Sequence, residues 1–129
     1  MPKAKQLTVW VQDHPGAPGE VASTIGAKKV NILAFTAWVE GERGVIRMVF
    51  DKTAVAKRAL AARGWETMEE EVLQVTLPNT PGSLGRIAKK LGDAGVYIRY
   101  AYTGLTESAR RANVYCGVSD LKAAMKVVR

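Results

Sequence analysis

The 129-residue chain is 47% hydrophobic and 24% charged, the balance of an ordinary globular protein, which excludes disorder along its whole length. With one cysteine and one histidine it has no internal disulfide, too few ligands for a structural zinc site, and a single imidazole, His14, for any acid–base device. No uncharged apolar run approaches the ~20 residues that span a bilayer. The start leads into an alternating strand rather than the apolar core of a signal peptide. The expectation is a soluble, cytoplasmic chain with no membrane partner, no metal and no cofactor. The net charge of +7 is spread evenly, with ten basic and six acidic side chains in residues 1–66 and nine and six in 67–129. That distribution reads as a solvated basic surface, or as a general attraction to polyanions.

Residues 6–11 alternate as a half-buried strand. Pro15-Gly16 breaks the chain, and a helix follows over 18–28, with Pro18 tolerated in its first turn. Strands over 30–39 and 45–51, a helix over 53–63 and a short strand near Trp65–Met68 come next. Glu69-Glu70-Glu71 reads as a charged linker. Beyond it Leu73, Val75 and Leu77 alternate with Gln74 and Thr76, and Pro81-Gly82 breaks the chain again. Leu84, Ile87, Ala88 and Leu91 then mark one helical face, which Gly92 or Gly95 can stop. Residues 96–103 form a strand, Gly104–Arg110 a turn, and 112–118 a further strand. Ser119-Asp120 can cap a last helix bearing Leu121, Ala124, Met125 and Val128.

A shift of 66 residues superposes the two halves without a gap. Leu7, Val9, Pro15, Gly16, Gly19, Ala22, Gly26, Val30 and Ile32 fall on Leu73, Val75, Pro81, Gly82, Gly85, Ala88, Gly92, Val96 and Ile98. The chain is therefore read as α+β, two ferredoxin-like βαββαβ units over 1–68 and 69–129. The second unit lacks a fourth strand of its own. Unpaired sheet edges are usually covered, so another element, a partner chain being one source, is expected there.

The segment Val72–Ile98, with Pro81-Gly82 between strand and helix and Gly95-Val96 before the next strand, resembles the opening of an ACT domain. Gln12–Ala22 and Val30-Asn31-Ile32 repeat it. The resemblance implies paired units with merged sheets, a homodimer, and a regulatory role with a small ligand, usually an amino acid, held where units meet. It places ligand contacts at Asp13, His14, Gly16, Ala17, Asn31 and Ile32 in the first half. In the second half it places them at Asn79, Thr80, Gly82, Ser83, Leu84, Tyr97 and Ile98. Tyr97 stands where the first half has Asn31, and Pro18 stands where the second has Leu84.

The residues bear on this independently. A helix N-terminus presents amide hydrogens and a partial positive charge to an anion such as an α-carboxylate. Gly16 and Gly82 let a ligand approach the backbone, Asn79 can donate and accept, and Asp13 can pair with an ammonium. The plainer alternative is a tight turn steadied locally by Asn or Asp. His14 is a turn residue or a contact for a ligand carboxyl, and Cys116 is a small buried hydrophobe. Gly82-Ser-Leu-Gly-Arg lacks the ending of a phosphate-binding loop. Arg43–Phe50 matches only part of an RNA-binding strand, with Val45 and Arg47 where stacking rings belong, so nucleic acid is the weakest partner. If Leu7, Val9, Ile46, Met48 and Phe50 face the helices, Trp10, Val45 and Val49 face away with Leu33 and Phe35. That apolar face calls for cover from a homodimer or a partner enzyme. The equivalent second face has Gln74, Thr76, Arg99 and Asn113, which can meet water. The expected function is amino-acid sensing without catalysis, exerted on a biosynthetic enzyme. The alternatives are a ligand-free interaction subunit and a nucleic-acid module.

Overall fold

The computed structural model describes residues 2–105 and 108–128. Its elements are β1 (Lys3–Gln12), α1 (Ala17–Gly26), β2 (Ile32–Glu40), β3 (Arg43–Phe50), α2 (Thr53–Ala62), β4 (Glu66–Pro78), α3 (Ser83–Asp93), β5 (Ile98–Thr103), β6 (Arg111–Val118) and α4 (Leu121–Val128). Thr106 and Glu107 of the expected turn lie outside the described residues. No described helix is long and apolar enough to cross a membrane. The chain divides into two compact units, Lys5–Glu70 and Glu71–Arg129, the latter joined by Met1–Ala4.

In the first unit the strand order is β2-β3-β1-β4, with only the opening residues of β4 belonging to it. Leu7 pairs with Met48 and Val9 with Ile46, so strict alternation points both strands' apolar residues to one side. There they meet Val21 and Ile25 of α1 and Ala56 and Leu60 of α2. Leu7, Ile25 and Leu60 are wholly buried, each worth roughly 1.5–3 kcal/mol of transfer free energy. The second unit repeats the design around Leu73, Val75, Leu91, Val96, Val114, Cys116 and Ala124. Burial raises the Cys116 thiol above its ordinary pKa, which keeps it protonated and unreactive. Asp120 caps α4, its Oδ1 accepting from the Ala123 amide at 3.0 Å.

Two sequence expectations are corrected. Glu69–Glu71 is not a linker but the interior of the 13-residue strand β4. Each glutamate has a partner: Lys57 Nζ lies 3.6 Å from Glu69, Gln6 Nε2 donates to Glu70 at 3.0 Å, and Lys3 Nζ meets Glu71 at 2.9 Å. The further element expected beside β4 in the second unit is supplied by the start of this same chain. The Gln74 amide donates to the Pro2 carbonyl at 3.0 Å, and residues 2–4 group with the second unit.

The second correction concerns the sheet face turned away from α1 and α2. Val45 and Val49 are 1% and 3% exposed, and Trp10 and Leu33 are half-buried. Phe35 is on the other side altogether. The β2 register slips by one residue between Ile32 and Ala34, and Phe35 pairs with Met48 on the helix side. Such a bulge exchanges the faces of every residue after it. The second unit has the same slip between Ile98 and Tyr100, 66 residues on. There the face away from the helices carries a stack of Tyr100, Tyr102 and Tyr115, with centroids 6.5 and 5.7 Å apart. Gly117 makes room for it, since a Cβ at that position would fall 2.1 Å from the Tyr100 ring.

Candidate functional site

Each Pro-Gly corner ends a strand and starts a helix, and the two backbones coincide. Gly16 has φ 87° and ψ −2°, and Gly82 has φ 87° and ψ −9°. This is the left-handed region, in which a Cβ would be strained. The first helical amide is consumed in both, Ala17 donating to the His14 carbonyl at 3.1 Å and Ser83 to that of Thr80 at 3.2 Å. A helix leaves its next two amides without an internal acceptor. At α3 these belong to Leu84 and Gly85, whereas at α1 Pro18 has no N–H and only Gly19 donates.

The second corner is occupied by its own side chains. Arg86 folds back so that Nη1 would lie 2.8 Å from a Cβ on Gly82, and Nη2 donates to Ser83 Oγ at 3.3 Å. Thr80 Oγ1 and Ser83 Oγ share a hydrogen bond of 2.8 Å, and Ser83 is buried. Asn79 is tied to the segment before β6. Its Nδ2 donates to the Ala109 carbonyl at 2.8 Å and its amide to that of Arg110 at 2.7 Å. Asn79 thus serves the turn, and Leu84 is exposed. The neighbouring cleft, lined by Thr76, Leu77, Pro78, Arg110 and Arg111, includes none of the corner residues.

The first corner is different. It opens on a cleft of about 200 Å³ lined by Val11, Asp13, Ala17 and Pro18 from the corner and by Ala37, Trp38, Val39, Gly44, Val45 and Ile46 from β2 and β3. Asp13 is the only charged residue in the lining, and among the described residues its carboxylate has no hydrogen bond or ion pair. Behind the corner, His14 Nδ1 donates to the Pro15 carbonyl at 2.9 Å, and Nε2 lies 3.6 Å from Glu20, which also pairs with Arg63. His14 is a locally bonded turn residue on an exposed network. Arg47 covers one face of the Trp38 ring, 4.7 Å from its centroid.

Asp13 and Ala17, named from sequence, share this cleft with Pro18. Asn31 and Ile32 do not reach it within the chain. Because α1 is a crossover, β2 starts level with the beginning of β1, and it is Val39 that pairs with Gly44 beside Val11. The Asn31 amide instead donates to Asp51 Oδ1 at 2.9 Å, and in the repeat the Tyr97 amide donates to Ser119 Oγ at 2.9 Å. Tyr97 and Ile98 are exposed. The residues missed from sequence, Ala37, Trp38 and Val39, carry no motif. The signal for them was the parallel direction of β1 and β2, which sets the end of β2 beside the corner.

No family model matches the chain, and no curated protein matches it in sequence. Among solved structures, protein BT0572 from Bacteroides thetaiotaomicron is similar with a TM-score of 0.88 at 25% identity, over 98% of this chain and 86% of that one. The ligand-free regulatory subunit of aspartate kinase from Thermus thermophilus is similar with a TM-score of 0.67 at 18% identity, over 98% and 90%. The aspartate kinase of Synechocystis matches 98% of this chain with 24% of its own, with a TM-score of 0.66 and 20% identity. These likenesses give the fold, two ACT-type ferredoxin-like units, as the repeat and its Pro-Gly motifs led one to expect.

Proposed function

We propose that the chain is a cytoplasmic regulatory subunit, without catalytic activity, that binds a small amino acid at the Asp13–Pro18 corner and transmits its presence to a biosynthetic enzyme. The observation that carries this reading is the apolar cleft beside a left-handed glycine corner with one unengaged carboxylate. Its volume falls below the ~300–1,000 Å³ typical of drug-sized ligands and suits a single amino acid. The regulatory subunit of aspartate kinase, with the same fold, supports the regulatory sense of the reading.

The cleft also supplies a means of transmission. β2 is an edge strand of its unit, and from Ile32 to Val39 it holds no charged residue and no proline. Phe35 and Val39 are 59% and 57% exposed on it. Such an edge invites pairing. Antiparallel pairing with β2 of a second copy would set one strand's Asn31 and Ile32 beside the other's Trp38 and Val39. The cleft would then be closed by the homodimer. A ligand held there stabilises the paired arrangement in proportion to its differential affinity for it.

A thermal-shift screen of the full chain against the twenty amino acids tests the proposal. Saturation to 100 times the dissociation constant adds about 2.7 kcal/mol of stability. No shift with any of them would reject ligand binding and favour a second reading, a ligand-free interaction subunit, for which the exposed Phe35 and Val39 speak. A nucleic-acid role has less support, since Val45, at a base-stacking position of the RNA-binding pattern, is buried.

A further inference from the structure

The geometry points to a first-corner cleft that selects an α-amino acid with an apolar side chain and holds it chiefly by the ammonium rather than by the carboxylate. This rests on the reading of the corner as a ligand site and adds the chemical class of the ligand and the group by which it is held.

Asp13 is the only charged side chain in the lining, and it is acidic. No Lys or Arg lines the cleft, so a ligand carboxylate finds no countercharge there. The amide donors that ordinarily make a helix N-terminus a carboxylate site are depleted. Ala17 N–H is spent on the His14 carbonyl, and Pro18 has no N–H to offer. The remaining walls are aliphatic apart from the Trp38 ring. They offer nothing to the side-chain hydroxyl of threonine, the amide of glutamine or a second charge, whose desolvation would go uncompensated. At the second corner the balance is reversed. Leu84 and Gly85 supply two amides, but Arg86 lies over the glycine and the neighbouring cleft includes none of the corner residues. One ligand per chain, at the first corner, is the expected stoichiometry.

Titration of the intact protein, followed by isothermal calorimetry and by tryptophan fluorescence with Trp38→Phe as the control for the signal's origin, tests this. The probes are leucine, 3-methylbutylamine, 4-methylpentanoate, threonine, lysine and glutamate. The expected result is that leucine binds with one site per chain and the amine within about threefold of it. The carboxylic acid and the three polar amino acids should bind at least about tenfold more weakly, the size of one charge-assisted hydrogen bond. Asp13→Asn should weaken leucine and the amine alike by about tenfold. Pro18→Ala restores an amide and should strengthen leucine while leaving the amine unchanged. Binding of 4-methylpentanoate as tight as the amine, or preference for threonine, lysine or glutamate, would overturn the inference while leaving the ligand site in place. Absence of binding by any of the twenty amino acids would remove the underlying reading instead.

Discussion

The two Pro-Gly corners have nearly the same backbone and different fates. Both glycines sit at φ 87° and both lead an amphipathic helix, yet one corner opens on a cleft and the other is filled by Arg86, Ser83 and Asn79. A repeated motif therefore fixes a turn, and the surroundings decide whether that turn is a site. Several substitutions make the difference: Pro18 in place of Leu84 removes a donor, Asp13 in place of Asn79 removes the anchor to a neighbouring segment, and Ala17 and Glu20 stand where Ser83 and Arg86 fill the second corner.

Substitutions can break or sharpen this contrast. The largest effect should come from the corner glycines. Gly16→Ala and Gly82→Ala each force a Cβ into the left-handed region and should lower unfolding free energy by about 1–2 kcal/mol, read from urea midpoints at unchanged slope. Nothing lies within 4 Å of the Gly16 Cβ position, so strain alone acts there, whereas Gly82→Ala also displaces Arg86. Asn79→Ala comes next. It frees the Ala109 carbonyl and should cost about 1 kcal/mol of stability without altering leucine binding. Asp13→Asn should show the opposite pattern, with stability within about 0.5 kcal/mol of the parent and ligand affinity reduced. If Asn79→Ala abolished ligand binding while Asp13→Asn spared it, the assignment of roles to the two corners would be reversed. The smallest effect concerns the ends of the same helices. Gly95 closes α3 at φ 77°, and its repeat counterpart Lys29 adopts φ 59°, which a lysine tolerates poorly. Lys29→Gly should raise stability by about 0.5 kcal/mol and Gly95→Lys should lower it by a similar amount, in the same denaturation assay.

Much of the fold was legible because its determinants are local. Leu84, Ile87, Ala88 and Leu91 mark a helical face whatever surrounds them, and the two Pro-Gly breaks placed both helix starts within a residue or two. Three things were not legible. The bulge after Ile32 reversed the face of Phe35, and a strict count by twos cannot register one extra residue. The glutamate run marks the boundary between the units but looked like a linker rather than a strand because its partners Lys57, Gln6 and Lys3 are remote in sequence. The cleft residues of β2 were missed because the corner meets the end of that strand, a consequence of crossover direction rather than of any motif.

The division of β1 and β4 has a practical consequence. Each strand begins in one compact unit and finishes in the other, so a cut at residue 68 severs both modules instead of releasing either. A fragment beginning at residue 69 would carry an open ladder beside Gln74, where Pro2 now accepts a hydrogen bond.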